Sequence, residues 1–166
     1  MNRLLGVSLL CLMAACSASE ESAAPTQATG GVASLDGVFA HTIMSIEADD
    51  GQRHDFTVYL ATEFEQQRRG LMFVRSMPAD VGMMFVYEDK DFRSMWMKNT
   101  YIPLDLVFAH ADGRVSSVIH DATPLSLQSR GSVEAIDYVL ELNGGVARRL
   151  KIGRDSRLIL DALKAD

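Results

Sequence analysis

Beyond about residue 38, apolar and polar residues alternate with period two through most of the chain, the pattern of strands that bury one face. Segments 42–48 and 55–61 read as two strands joined by the turn Asp49-Asp50-Gly51, with Phe56, Val58 and Leu60 on one face of the second. A short helix is expected next. Thr62 and Glu65 have the Thr-x-x-Glu spacing of a capping box, Glu65 stands four residues before Arg69, and Gly70 sits where a glycine stops a helix. Pro78-Ala79-Asp80 marks a turn, and 82–87 and 92–98 read as apolar strands. Asp112-Gly113 predicts a hairpin between 105–110 and 114–120. With a two-residue turn, Asp105 stands opposite His120, Val107 opposite Val118 and Phe108 opposite Ser117. A strand over 137–142, a helix over 144–151 capped by Asn143 and ending near Gly153, and a strand over 157–160 complete the pattern. Many short strands with only two short helices predict an all-β domain over 38–163, either a compact β-sandwich or a partly closed barrel.

The first residues break this pattern. A short basic start at Arg3 leads into an apolar run from Leu4 to Ala15, too short to span the roughly 30 Å hydrocarbon core of a bilayer. It is followed by Ala14-Ala15-Cys16, and a basic start, an apolar middle and small residues before a cut are the marks of a secretory signal. Leu12-Met13-Ala14-Ala15-Cys16 resembles a lipobox, in which the cysteine is acylated and becomes the new N-terminus. Residues 1–15 are thus expected to be a signal peptide and Cys16 the site of lipid attachment. Segment 16–37, rich in Ser, Ala, Thr and Gly, is expected to be a flexible tether. Ser17 is not the aspartate that retains such proteins in the inner membrane of enteric-type bacteria. The expected address is therefore the outer membrane, facing the periplasm.

Loss of residues 1–15 takes both Cys11 and, with lipidation of Cys16, the last free thiol, which excludes a disulfide or a thiolate site in the domain. It also removes Arg3, leaving 15 basic residues against 22 acidic ones. That balance argues against nucleic acid as a partner and leaves the acyl chains to hold the membrane. The four histidines, His41, His54, His110 and His120, have no helical metal-ligand spacing, and no Gly-x-Ser-x-Gly, phosphate-loop or dinucleotide fingerprint is present. No cofactor is expected.

The candidate chemistry lies in the run from Met95 to Asp105. On a strand, Trp96, Lys98 and Thr100 share one face while Met95 and Met97 face the core. A lysine between apolar neighbours must reach water, a ligand or a carboxylate, since an unpaired buried charge is very costly. Asp105 and Glu141 are the expected partners. Trp96, Lys98, Asn99, Thr100 and Asp105, with Arg75 and Glu141, form a candidate set suited to a polar ligand with an apolar face, such as a sugar. The same groups also suit a purely structural network. Six methionines between Met72 and Met97 raise copper(I) as a further ligand, although methionine is equally a core filler.

Three segments, Gly70-Leu71-Met72, Gly82-Met83-Met84-Phe85-Val86 and Met95-Trp96-Met97-Lys98-Asn99-Thr100-Tyr101-Ile102-Pro103-Leu104-Asp105, resemble in order and spacing the bacterial and archaeal family called domain of unknown function 192. Asp112-Gly113 and Leu140-Glu141 also match. The resemblance implies a compact β-sandwich, often exported, with no established activity. Members often carry an arginine where this chain has Val74, and Arg75 comes one position later. On an extended chain one residue reverses the side chain's direction. The function expected from all this is a non-catalytic, lipid-anchored envelope module binding a small polar ligand or an envelope protein. The alternative is a hydrolase using Asp105 with Lys98 or His120.

Overall fold

The computed structural model describes residues 31–161. The expected signal peptide, Cys16 and most of the expected tether lie outside them. The chain opens with a 3-10 turn, Val32–Ser34, followed by β1 (Ala40–Glu47), β2 (Arg53–Ala61), α1 (Phe64–Arg69), β3 (Val81–Asp91), β4 (Ser94–Met95), β5 (Leu104–Ala109), β6 (Val115–Ala122), β7 (Arg130–Gly131), β8 (Ile136–Asn143), α2 (Val146–Arg149) and β9 (Arg157–Ile159).

Seven strands form one sheet in the order β6-β5-β8-β3-β2-β1-β9, and β4 pairs with β7 as a separate ribbon. Only β2 and β3 run parallel, so the chain between them must cross over, and it carries α1. The sheet curls into a half-barrel. Of the two expected architectures this is the partly closed barrel, and the sandwich implied by the family resemblance does not form. Its free edges meet at one corner, where Leu158 N–H donates to the Gly113 carbonyl at 2.8 Å and Val115 N–H to Ser156 at 3.1 Å.

Strand alternation sorts the apolar side chains into two cores. Met44, Ile46, Phe56, Val58, Met84, Val107, Leu140, Leu142 and Leu158 pack together inside the curl with Val146 and Ala147 of α2. Tyr59, Ala61, Met83, Phe85, Leu106, Phe108 and Val139 point outward. They are covered by an irregular layer that supplies Leu35, Phe39, Leu71, Val74, Met95, Met97 and Ile102. All six residues of β5 are buried as a result, and each large side chain so placed contributes about 1.5–3 kcal/mol. Leu35 lies within the expected tether yet is completely buried, so packed chain begins before Val38.

Several local expectations need correction. The cap of α1 falls one residue later, with Glu63 at the N-cap and Gln66 at the third helical position. Gln66 Oε1 accepts from Glu63 N–H at 3.1 Å. Glu65 pairs with Arg68 at 3.0 Å rather than with Arg69. Gly70 ends the helix as expected, at φ +48°, where a side chain would press on the Phe85 ring. The strand expected over 92–98 reduces to Ser94–Met95, and the strand over 130–131 that pairs with it has no signal in the hydrophobic pattern. α2 is one turn long, and Asn143 does not cap it. The Asn143 amide instead donates to the carbonyls of Met77 and Pro78 at 2.9 and 2.8 Å.

The hairpin keeps its expected register in the middle, with Val107 opposite Val118 and Phe108 opposite Ser117. It shifts at both ends, pairing Ala109 with Val115 and Leu104 with Ala122. The second shift places a bulge at His120-Asp121, with Asp121 at φ +51°. Asp105 and His120 are therefore not a ladder pair.

Candidate functional site

The outer layer leaves a cleft of about 620 Å³ above the sheet. One wall is α1, which presents Glu65, Gln66, Arg68 and Arg69, continued by Met72 and Phe73. The other is Trp96, Lys98 and Asn99, with Val38 at the end. α1 is held down by Gln67 Nε2, which donates to the Val86 carbonyl of β3 at 2.8 Å, and by Gln66 Nε2 on the Val38 carbonyl at 2.9 Å. The two walls are stitched together by Phe73 N–H, which donates to the Asn99 carbonyl at 2.8 Å.

Three non-glycine residues at this stitch have left-handed backbones: Phe73 (φ 70°), Asn99 (φ 55°) and Leu125 (φ 60°). Asparagine tolerates that region, but for phenylalanine and leucine it is strained. Met97 N–H donates to the Ser126 carbonyl, Thr100 N–H closes a turn onto the Met97 carbonyl at 3.1 Å, and Leu125 N–H donates to Thr100 at 3.1 Å. This turn is why the expected strand stops. Asn99 takes the positive-φ position that such turns reserve for glycine or asparagine, and that is the one cue that could have revealed it.

The turn also redistributes the candidate residues. Met95 and Met97 are buried as expected. Trp96 is 48% exposed on the cleft wall, and Lys98 is exposed beside it with Nζ 5.0 Å from the centre of the indole ring. Thr100 does not share their face. It is buried, and its hydroxyl donates to the Lys98 carbonyl at 3.3 Å. Lys98 makes no ion pair among the described residues, so the expected contact with Asp105 or Glu141 is absent. Arg75 stacks on Tyr101, 4.4 Å from the ring centre, and lines neither the cleft nor the cavity behind it.

Asp105 is a structural residue. It is fully buried, its Oδ1 accepts from Asp121 N–H at 2.9 Å, and its Oδ2 accepts from Ala147 N–H at 2.8 Å. The second bond satisfies a donor in the first turn of α2, so Asp105 serves as the cap that Asn143 was expected to provide. His120 Nδ1 lies 3.8 Å from Asp105 Oδ1, beyond hydrogen-bond distance. Of the pairs expected for a hydrolase, Asp105 and His120 are thus neighbours without a hydrogen bond, and Lys98 forms no ion pair with Asp105. The methionines are divided between the two cores, with Met83, Met95 and Met97 outside the sheet and Met84 inside it. Among the described residues no three His, Cys, Asp or Glu side chains group as a metal site.

Glu141 is the site residue whose position the sequence least reveals. On β8 it faces outward between Met83 of β3 and Leu106 of β5. It is 4% exposed and lines a second cavity of about 130 Å³ that shares Arg68, Arg69, Met72 and Trp96 with the cleft. Burial alone pushes its carboxyl up to about 8. Tyr87 lines the same cavity and is raised to about 12, first by burial and then by the Glu141 charge, against the opposing effect of Arg93. Arg68, Arg69, Phe73 and Tyr87 have no signal in the sequence beyond two arginines at a helix end, and Met72 stands out only in the Gly-Leu-Met segment and the methionine run, because the crossover and the outer layer bring these residues together.

A family model for DUF192, described as "Uncharacterized ACR", matches residues 45–160. No curated protein matches the chain. Among solved structures, a candidate transcription regulator from Sinorhizobium meliloti 1021 is similar at 39% identity and a TM-score of 0.71, over 72% of this chain and 93% of that one. A protein of unknown function from Novosphingobium aromaticivorans DSM 12444 is similar at 33% identity and a TM-score of 0.68, over 71% and 84%. Among the described residues, no helix is long and apolar enough to cross a membrane.

Proposed function

The chain belongs to the DUF192 family, and from that premise we propose that it is a non-catalytic binding module whose cleft takes a small polar ligand with an apolar face. The observation that carries this reading is the pair Trp96 and Lys98, an exposed indole beside a lysine with no carboxylate partner among the described residues, on the wall of a cleft of about 620 Å³. A flat apolar surface carrying a cation at its face suits a sugar ring bearing an acid group. Arg68 and Arg69 on the opposite wall add positive charge. Strain held at Phe73 and Leu125 is further support, since such strain gathers at ligand sites.

Trp96 is the only tryptophan, so its fluorescence reports on the cleft. Titration of the full chain with glucuronate, galacturonate and their neutral sugars should change Trp96 emission and raise the melting temperature, the uronates more strongly. Lys98→Met should abolish the response without altering the fold. If no sugar moves either signal, the reading fails.

The envelope address is part of the same proposal. Cys16 would carry lipid and hold the module at the outer membrane, facing the periplasm. Cys16→Ala should leave an unprocessed precursor that takes up no labelled palmitate. Normal labelling of that variant would refute lipidation at Cys16. Sedimentation of the native protein with inner-membrane markers would refute the address alone.

A further inference from the structure

We propose that the cavity beneath Trp96 seats a protonated amine of the ligand, with the Glu141 carboxylate as its counter-ion. This rests on the reading of the adjoining cleft as a binding site and extends it to a second ligand group. Glu141 is 4% exposed, and no cation or hydrogen-bond donor among the described residues reaches its carboxyl; burial is the sole cause acting on it. Buried carboxyls ordinarily have partners, so an unpaired one lining a cavity is a vacant half of an ion pair.

The two arginines that line the cavity, and Arg93 over the Tyr87 ring, are committed elsewhere. Arg68 pairs with Glu65 at 3.0 Å. Arg69 donates to the Ser34 carbonyl at 3.1 Å and lies over the Phe39 ring. Arg93 pairs with Asp89 at 2.9 Å and stacks on Tyr87. The rings of Phe85, Tyr87 and Trp96 and the thioethers of Met72 and Met95 give much of the remaining wall a soft, electron-rich character, and Gln67, Leu71, Ser94 and Thr100 also line it. Aromatic faces attract a cation where a neutral hydroxyl gains little. At roughly 30 Å³ per water-sized group, 130 Å³ admits a short aminoalkyl group.

The arrangement couples binding to a proton. With its carboxyl near 8, Glu141 is mostly protonated at pH 7. An alkylammonium, with a pKa of about 10.4 like that of lysine, arrives charged. Its arrival favours the carboxylate, and the carboxyl proton leaves to solvent.

The test titrates the full chain at pH 7 with butylammonium chloride and with 1-butanol. It follows Trp96 fluorescence and the heat of binding in two buffers of different protonation enthalpy. Butylammonium should bind at least about tenfold more tightly than butanol and release close to one proton per site. Glu141→Gln should weaken butylammonium about ten- to hundredfold, abolish the proton release and leave butanol unchanged. Equal affinity for the two probes, binding without proton release, or full affinity in the Gln variant each overturns the proposal. The first two are read on the unaltered protein, whatever the variant does. If butylammonium fails to bind while a uronate still moves Trp96, the amine seat falls and the cleft reading stands. If neither binds, both fall.

Discussion

At the scale of single residues, the chain holds two buried carboxylates with opposite consequences. Asp105 has two backbone N–H donors and is needed where it is. Glu141 has none among the described residues and resists ionisation. Its folded pKa, about 8, lies above the 4.5 expected of it in the unfolded chain. The stability it allows is thus fully present below pH 4.5 and is lost as pH rises through 8, because the unfolded chain releases the proton first. The loss by pH 7 is on the order of 3 kcal/mol. Glu141→Gln should therefore raise the melting temperature at pH 7–8, leave it unchanged at pH 4, and flatten the profile between. Denaturant unfolding across that range checks this, and a Gln variant with the native slope would contradict it. Lys98 makes a contrasting case. Exposed and lacking an ion pair, it should be replaceable by methionine within about 0.5 kcal/mol. Thermal melts at pH 7 measure this, and a loss of several kcal/mol would mean that the lysine holds the fold.

Among elements, the clearest dependence is that of α2 on β5. A helix of four residues, Val146–Arg149, has too few internal bonds to persist alone, and the Asp105 carboxylate ties its first turn to the sheet. Asp105→Ala should leave the buried N–H of Ala147 and the partly buried N–H of Asp121 without their acceptor and cost roughly 2–4 kcal/mol. Hydrogen exchange should show protection lost first at 145–150 and at the β6 bulge. Uniform loss across the sheet would argue against a local cap.

The run around Trp96 shows how element and site depend on each other. Its alternation Met95, Trp96, Met97, Lys98 is strand-like, and the burial of both methionines follows it. Asn99 then turns the chain, so Trp96 and Lys98 remain at the surface while Thr100 goes inside. Local alternation foretold that Met95 and Met97 would be buried, but not Thr100. It could not foretell that hydrogen bonds with Ser126 and Leu125, far along the chain, would break the strand.

For the whole molecule, the half-barrel depends on contact between its edges at Gly113. This glycine has φ +84°, and its carbonyl accepts from Leu158 N–H. A methyl group there would be driven into the Leu158 carbonyl while straining the backbone. Gly113→Ala should cost about 2–4 kcal/mol and free β9 from the corner. The melting temperature should fall, with early amide exchange at Leu158. Unchanged stability would show that the corner contact is dispensable.

What the sequence determined by itself was set by local chemistry. Period-two alternation specified an all-β domain, Asp112-Gly113 the hairpin, Gly70 the end of the first helix, and the motif run the family. Each depends on residues close together in the chain, whose backbone preferences and side-chain directions are nearly independent of the rest. The tertiary structure alone decided which polar groups share a site. It sent Asp105 to cap a helix, put Arg75 on Tyr101, and set Glu141 beneath Trp96 and Lys98 on the cleft wall. Those outcomes follow from the parallel crossover between β2 and β3, the bulge at His120-Asp121 and the outer layer. They depend on contacts between residues tens of positions apart, for which a pattern of neighbours carries no information.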